Sequence, residues 1–403
     1  MIGAARHTQR VPAAEDVARA ALVARTALVA RTALVDALTA SGRIRSPAVE
    51  DAFRSVPRHL FLPEATVDTA YADDAIAVQR VEGVATSSAS QPSMVAIMLE
   101  QLDLRPGMRV LEIGAGTGWN AALMARIVGP TGAVTTVDID PHLVDSAGRH
   151  LAAAGVTDVR LRSGDGVLGV PDGAPYDRIV LTVGSDDVWP AWVEQLVPGG
   201  RLLLPLAVRG TQLSTAFDLG PDGVLRSHSV RSCGFIRLRG LGAVDEGAVE
   251  VPGVGSLLVP SDGPAVEADA VAAVLADPRG PSGPPVSLGR ADLWDGFGLW
   301  LALTEPGAGR MLPSTDAPAL VLVGAAGLAS VVPGPDARVH VFGAEGADLA
   351  RRLDGALRAW TAAGSPGGPD WRVAVVRAGS GDPPEGVRVV RTAHHHLLLD
   401  LVR

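Results

Sequence analysis

Cysteine is almost missing from this chain: Cys233 is the only one in 403 residues. A single thiol excludes an intrachain disulfide and any metal site built from several cysteines. Aromatic residues are scarce as well, at 4%, so the core has to be aliphatic, with Gly and Pro filling the loops. Basic charge is outweighed by acidic charge, 35 Lys and Arg against 44 Asp and Glu, a net charge of −9. This balance argues against a general phosphate-binding surface, because nucleic-acid affinity rests on clustered Lys and Arg; local basic patches stay open. Long apolar runs are lacking too. Arg6, Arg10, Arg19, Arg25 and Arg31 interrupt the N-terminal region before it reaches the length of a signal-peptide core or a membrane span. The sequence therefore predicts a soluble, cytoplasmic protein with no nucleic-acid or membrane partner, and leaves its oligomeric state open. The hexapeptide at 21–26 recurs at 27–32, which fits a local duplication within a helix better than a solenoid unit.

What the chain does have is length and apolar content. With 47% hydrophobic residues, it exceeds one ordinary domain. Residues 13–41 read as a helix rich in Ala, Leu and Arg, stopped by Gly42. Ser46 and Pro47 open a second helix, running to about Val56, which the segment from Pro57 to Pro63 breaks. From residue 109 apolar strands at 109–113, 133–138, 159–162, 178–182 and 201–205 alternate with helical stretches at 120–128, 141–154 and 188–196. That rhythm predicts a Rossmann-like α/β fold with a parallel sheet covered on both faces. Strands at 211–219 and from Val224 onward, joined by a tight turn, should add an antiparallel edge. Beyond about 240 Gly and Pro become dense, and strands near 319–323, 371–377 and 387–391 flank a helix at 348–363. The expected layout is an N-terminal helical extension (1–45), an α/β domain (46–240) and an additional C-terminal α+β domain (241–403).

The strongest chemical signal is Val110-Leu111-Glu112-Ile113-Gly114-Ala115-Gly116-Thr117-Gly118, between a strand and a helix. Glycines let the backbone turn sharply and approach a ligand, and the helix behind offers free N–H groups. A dinucleotide fold does this for a pyrophosphate with Gly-x-Gly-x-x-Gly. Here the order is Glu-x-Gly-x-Gly-x-Gly. Glu112 would repel a pyrophosphate but suits the sulfonium and amino group of S-adenosyl-L-methionine. Asp138, with Ile139 behind it, ends the next strand, where a carboxylate can accept both ribose hydroxyls. In Gly164-Asp165-Gly166, Asp165 is expected to accept from the adenine amino group. Each piece also has a plain reading, as a Gly-rich turn, a surface acid or an Asp-Gly turn.

In this order the residues resemble the protein-L-isoaspartate O-methyltransferases, over about Ile44 to Leu238. The likeness rests on Val56-Pro57-Arg58 with Phe61, Ala70-Tyr71-Ala72-Asp73, Ser90-Gln91-Pro92, Val110 to Gly118, Gly164-Asp165-Gly166, Pro175-Tyr176-Asp177 and Gly199-Gly200-Arg201-Leu202. The resemblance implies a class I methyltransferase fold and a peptide or protein carboxylate as substrate, with S-adenosyl-L-homocysteine as product. It also implies that Ser90 holds the substrate carboxylate, with Ser88 beside the cofactor. The segment Thr86 to Ser90 is about two residues longer than the family pattern, and its plain reading is a polar loop or helix cap before Pro92.

The length beyond 240 resembles the branch that acts on ribosomally made, modified peptides (lanthipeptide or graspetide pathways, including the group named for an FxLD leader motif). This implies methylation of an Asp in a cyclised precursor, leading to succinimide and isoAsp, with the C-terminal domain recognising the peptide. A general isoaspartyl repair enzyme and a non-catalytic cofactor-binding protein are the alternatives. The Asn/Asp-Pro-Pro-aromatic element of nucleic-acid amino-methyltransferases is missing from 181–185, and Cys233 lacks the setting of a cytosine-methylating nucleophile. His394-His395-His396 lacks a third metal ligand nearby, so no metal is expected. Trp294, Phe297 and Trp300 could form a docking surface or a small satellite core.

Overall fold

The computed structural model describes residues 14–243, 248–260, 264–380 and 383–402; Arg6, Arg10 and the first residue of the expected helix lie outside them. Helix α1 (Ala14–Ala40) runs through the duplicated hexapeptide, and Gly42 ends it with φ +69°. Its buried Ala27, Leu34, Val35 and Leu38 share one apolar cluster with Phe53 and Trp119. The N-terminal helix is therefore built into the first core and is not an appendage. Helix α2 (Pro47–Ser55) starts on Ser46, whose hydroxyl accepts from the Val49 amide. A 3-10 turn at Arg58–Phe61 and the short α3 (Val67–Tyr71) follow. Then β1 (Ile76–Val81) and β2 (Val84–Ala89) form an antiparallel hairpin that leads into α4 (Pro92–Leu102).

The α/β alternation is present: β3 (Arg109–Ile113), α5 (Trp119–Val128), β4 (Ala133–Asp138), α6 (Pro141–Ala153), β5 (Val159–Ser163), β6 (Tyr176–Leu181), α7 (Pro190–Glu194) and β7 (Leu196–Val208). These five strands pair in parallel in the order β7-β6-β3-β4-β5. The chain winds outward from β3 to β5 and then returns to the other side of β3. The switch point thus falls between β3 and β6, where a doubly wound sheet opens a ligand crevice at its strand ends. Helix α7 is shorter than expected, because Pro190 disfavours helical backbone at Trp189 before it.

Strands β8 (Thr211–Leu219) and β9 (Leu225–Cys233) extend the sheet antiparallel to β7, but they are not its edge. The chain leaves to build a second, wholly antiparallel sheet from β10 (Ala248–Val251), β11 (Gly255–Leu258), β12 (Pro278–Leu288), β13 (Ala308–Pro313), β14 (Ala319–Val323), β15 (Gly327–Val331) and β16 (Gly334–Gly343). Helices α8 (Ala268–Leu275), α9 (Phe297–Thr304) and α10 (Gly346–Ala362) accompany it. The Gly/Pro-dense stretch after residue 278 forms β12, an edge strand of this sheet, where proline is tolerated.

The chain then comes back. Strand β17 (Trp371–Arg377) pairs with β9, and β18 (Arg388–Arg391) and β19 (His395–Leu401) follow to complete a ten-stranded sheet. Residues 241–403 are thus not a self-contained unit, and one apolar cluster runs from Leu111 and Leu213 through Trp300 and Leu320 to Trp371. The histidine run belongs to this return. His395 Nδ1 donates to the Val188 carbonyl (2.6 Å), the His394 amide donates to buried Asp187 (2.7 Å), and the His394 ring lies 4.5 Å from Trp189. Phe297 and Trp300 are core residues, whereas Trp294 stays partly exposed. Among the described residues no helix is long and apolar enough to cross a membrane.

Trp371 is buried and its ring lies 6.2 Å from that of Trp300, so it links the two sheets. Trp371→Ala should cost about 3–5 kcal/mol and destabilise both sheets together. Urea unfolding followed by circular dichroism and by methyl-donor binding should give two coincident, down-shifted transitions; separate transitions would contradict a shared core.

Candidate active site

A cleft opens at the switch point. The glycine turn after β3, the ends of β4 and β6, the β2 strand and the segment from Phe235 to Arg239 line it. Gly114 adopts φ +103°, and a Cβ there would stand 2.6 Å from Thr182 Oγ1. That hydroxyl donates to the Gly114 carbonyl (2.6 Å) and fixes the turn to the end of β6. Gly118 (φ +86°) is the N-cap of α5, and a Cβ would press on Ala147 of α6 at 3.2 Å. Ala115, Gly116 and Thr117 complete the wall. The α5 N-terminus thus faces the cleft, its glycine N-cap offering no side chain and its first amide, that of Trp119, donating to Thr117 Oγ1 (3.4 Å).

Glu112 lines the cleft and is fully buried. It accepts from Thr136 Oγ1 (2.7 Å) on β4 and from Asn120 Nδ2 (2.8 Å) on α5. Both partners are neutral. Burial pushes its carboxyl up to about 7, against the pull of these two hydrogen bonds, and nearby Asp138 adds to the rise. A carboxylate held without a cation beside a second acid fits a positively charged ligand. Asp138 accepts from the Gly116 amide and the Asp140 amide, both at 3.1 Å, and Arg239 lies 3.8 Å away. Ile139 and Gly166 line the same cleft.

Asp165 departs from expectation. Its carboxylate accepts from the Val167 amide (3.1 Å) and the Leu241 amide (2.7 Å), and neither it nor Gly164 is among the residues lining the cleft. The turn at 240–242 lies over it, so close that a Cβ on Gly240 would stand 2.3 Å from Asp165 Oδ2. The acid therefore ties a turn down from a position outside the lining of the cleft.

The serine segment is not a loop or a cap. Thr86 to Ala89 lie in strand β2, with Ser90 directly after it, and the pairing with β1 shifts register on either side of Gln79, leaving Val78 and Thr86 out of the ladder. Thr86 Oγ1 donates to Gln79 Oε1 (2.9 Å), and Gln79 Nε2 donates to Asp140 (2.7 Å). Ser88 faces the glycine turn: its carbonyl oxygen would lie 3.8 Å from a Cβ on Gly116. Ser90 is half-buried in the cleft wall, and its hydroxyl has no hydrogen-bond partner among the described residues. Its carbonyl accepts from Arg58 Nη2 (3.0 Å). The same buried guanidinium donates to the Ala70 (2.8 Å) and Ala72 (3.2 Å) carbonyls and stacks over Trp119 at 5.0 Å. Burial lowers its pKa to about 10, against Asp73 and Tyr71, which raise it. Asp73 in turn accepts from the Ser93 amide (2.8 Å) and caps α4, a role Gln91 does not fill.

Sequence reasoning missed Asn120, Thr136, Thr182 and the Phe235 to Arg239 wall, all of ordinary residue types. Arg58 was visible only as part of a motif. Cys233, with its thiol pushed by burial up to about 12, is no thiolate at neutral pH.

A family model for protein-L-isoaspartate(D-aspartate) O-methyltransferase (PCMT) matches residues 29–242. The chain belongs to this family: it is a carboxyl O-methyltransferase with a class I fold, and its methyl donor is S-adenosyl-L-methionine. The protein-L-isoaspartate O-methyltransferase of Methanopyrus kandleri is 42% identical over 207 residues, 51% of this chain and 89% of that one. That of Pyrococcus horikoshii is 45% identical over 172 residues, 43% and 75% of the two chains. A solved protein-L-isoaspartate O-methyltransferase, 26% identical, superposes on 85% of this chain and 96% of its own with a TM-score of 0.51. Residues 1–242 alone could not supply that share, so the likeness extends into the second sheet.

Two predictions follow from the buried acids and Arg58. Without a cation, the contribution of Glu112 to folding is fully present below about pH 4.5 and is lost as the pH rises through about 7. A cationic ligand favours the ionised form, so donor affinity should rise about tenfold from pH 6 to 8, following the ionised fraction of a group of pKa about 7. S-adenosyl-L-homocysteine, with a neutral sulfur, should gain less, and Glu112→Gln should flatten the difference; calorimetry at both pH values checks this. Arg58→Lys cannot reach the same carbonyls, and the displaced Ser90 should lower kcat up to about a hundredfold. Donor affinity of the folded protein should change little, as stopped-flow and equilibrium binding would show.

Proposed function

We propose that this chain esterifies the free carboxylate of isoaspartyl residues in damaged polypeptides, with Ser90 as the group that aims the carboxylate. The observation that carries the reading is that an otherwise unengaged Ser90 hydroxyl shares one cleft with the glycine turn, Glu112 and Asp138. The bound donor would supply an electrophilic methyl group on a cationic sulfur. On the protein side, Glu112 would balance that positive charge, Asp138 would accept the ribose hydroxyls, and the glycine turn would let backbone approach. A peptide carboxylate has a pKa of about 4 and is ionised at neutral pH, so no general base is needed. Ser90 needs only to donate one hydrogen bond; most of the acceleration would come from alignment. The ester then reacts without the enzyme: the following backbone nitrogen attacks its carbonyl, methanol leaves and a succinimide forms.

Methylation of an Asp in a cyclised ribosomal precursor remains the second reading. Its main support was the length beyond residue 240. A solved protein-L-isoaspartate O-methyltransferase that superposes on 85% of this chain removes the force of that argument and favours the repair reading.

Methyl transfer should be measured on an isoAsp peptide, its Asp isomer and a cyclised Asp precursor. Efficient transfer to the isoAsp peptide alone supports repair, and preference for the cyclised Asp supports tailoring. No transfer with intact donor binding would leave a non-catalytic protein. Ser90→Ala should lower turnover about 10- to 100-fold, the worth of one hydrogen bond to a charged group, with donor affinity kept. Loss of donor affinity instead would move Ser90 into the cofactor shell.

A further inference from the structure

Three tryptophans, Trp119, Trp300 and Trp371, hold a buried indole N–H that has no acceptor among the described residues. Of the three, Trp119 alone lines the donor cleft. It is 4% exposed, and a buried indole N–H ordinarily finds a partner, because an unmet donor costs the desolvation of that group. The Phe53 ring meets Trp119 at a steep angle with centroids 5.3 Å apart, and the Arg58 guanidinium lies 5.0 Å from the Trp119 centroid. Neither contact offers a lone pair. The nitrogen has almost no accessible surface, so bulk water cannot satisfy it, and a ligand oxygen has to press into the wall to reach it.

The stacked cation is itself not neutralised by an ion pair. Arg58 donates four hydrogen bonds, all to backbone carbonyls, those of Ala70, Ala72, Asp74 and Ser90, and its Nε is without an acceptor. Asp73, whose charge acts on it, is engaged by the Ser93 amide. A cation over the ring face draws electron density from the indole and strengthens its N–H as a donor. The cleft therefore has two poles. Glu112 and Asp138 stand at the ends of β3 and β4, whereas Trp119 Nε1 and the Ser90 hydroxyl, donors without acceptors, stand at the first turn of α5 and just after β2. A carboxylate answers the second pole, having full negative charge and no hydrogen to be placed. Both substrates of a carboxyl methyl transfer carry one.

We propose that Trp119 is a carboxylate-binding residue of this cleft, its indole N–H donating to an oxygen of the bound group. Two sources bring a carboxylate here. One is the amino-acid end of the methyl donor, whose ammonium group Glu112 would meet at the other pole. The other is the methyl-accepting residue, where Trp119 would hold the oxygen that keeps its charge while Ser90 aims the one that attacks; this source rests on the proposed role of Ser90.

The N–H can be followed directly by NMR. Labelled with heavy nitrogen, the full chain gives one indole resonance per tryptophan, seven in all, and Trp119→Phe (or Trp119→Tyr, where the first does not fold) identifies the one that disappears. S-adenosyl-L-homocysteine, methylthioadenosine (which lacks the amino-acid end), an isoAsp peptide and the same peptide with that carboxyl made an amide would be added, the peptides with S-adenosyl-L-homocysteine present. A downfield shift with S-adenosyl-L-homocysteine but not with methylthioadenosine assigns Trp119 to the donor's carboxylate. A downfield shift that waits for the isoAsp peptide and is missing with its amide assigns it to the acceptor's. Trp119→Phe keeps a ring for Phe53 and Arg58 but removes the N–H. It should weaken the ligand so identified about 10- to 100-fold, the worth of one hydrogen bond to a charged group, and change affinity for the other little. A signal that no ligand moves downfield, or a variant that binds both ligands with unchanged affinity, would overturn the proposal. A shift on S-adenosyl-L-homocysteine with no methylation of any isoAsp peptide would sink the functional reading and leave this assignment standing. Methylation of the isoAsp peptide with a motionless Trp119 signal would do the reverse.

Discussion

A carboxylate buried without a countercharge organises the donor side of this protein. Glu112 joins β3 to β4 through Thr136 and to α5 through Asn120, the three elements that bracket the glycine turn. The hydrogen bonds set the geometry of the turn, while the desolvated acid leaves an unmet demand for positive charge. Replacing it by an apolar residue would ease burial and discard that demand. The stability given up by burying the acid would let the cleft favour a cation, a trade of stability for function that is common at binding sites.

The substrate side depends on a second buried charge of opposite sign. Arg58 gathers carbonyls from α3, from the segment after it and from Ser90, and Asp73 in that segment caps α4. Three stretches widely separated in sequence, Val56 to Arg58, Ala70 to Asp73 and Ser90 to Pro92, therefore form one assembly. Its product is the position of a serine hydroxyl that no other described residue engages. Since carboxylate methylation needs no proton removed at neutral pH, orientation is the main contribution the protein can make.

Much of this was legible in the sequence because it is encoded locally. Strands 109–113 and 133–138 match β3 and β4, since periodic apolar runs and flanking turn residues fix central strands. The acid-plus-glycine turn could be read because few other residues allow its backbone. The backbone contacts of Asp165 were not legible, because an Asp in an Asp-Gly turn can accept from many amides and the one that reaches it belongs to Leu241, 76 positions away. The return of β17, β18 and β19 to the first sheet was illegible for a similar reason. Alternation of apolar residues shows that a strand exists but not which edge it completes.

That return is what makes the second sheet more than an attachment. Had β9 remained the edge, its unpaired backbone groups would have invited other strands, and the sheet from β10 to β16 would have hung from a single connection after β9. Instead the chain leaves after β9 and comes back beside it, Asp187 and Val188 hold the returning His394 and His395, and Trp300 packs on Trp371. Two strand-level connections and one continuous core fix the second sheet against the first. A cleft between two hinged bodies would vary in shape, whereas one walled on both sides by the same core keeps Arg310, Arg391 and Trp294 at set positions beside Phe235 and Arg237.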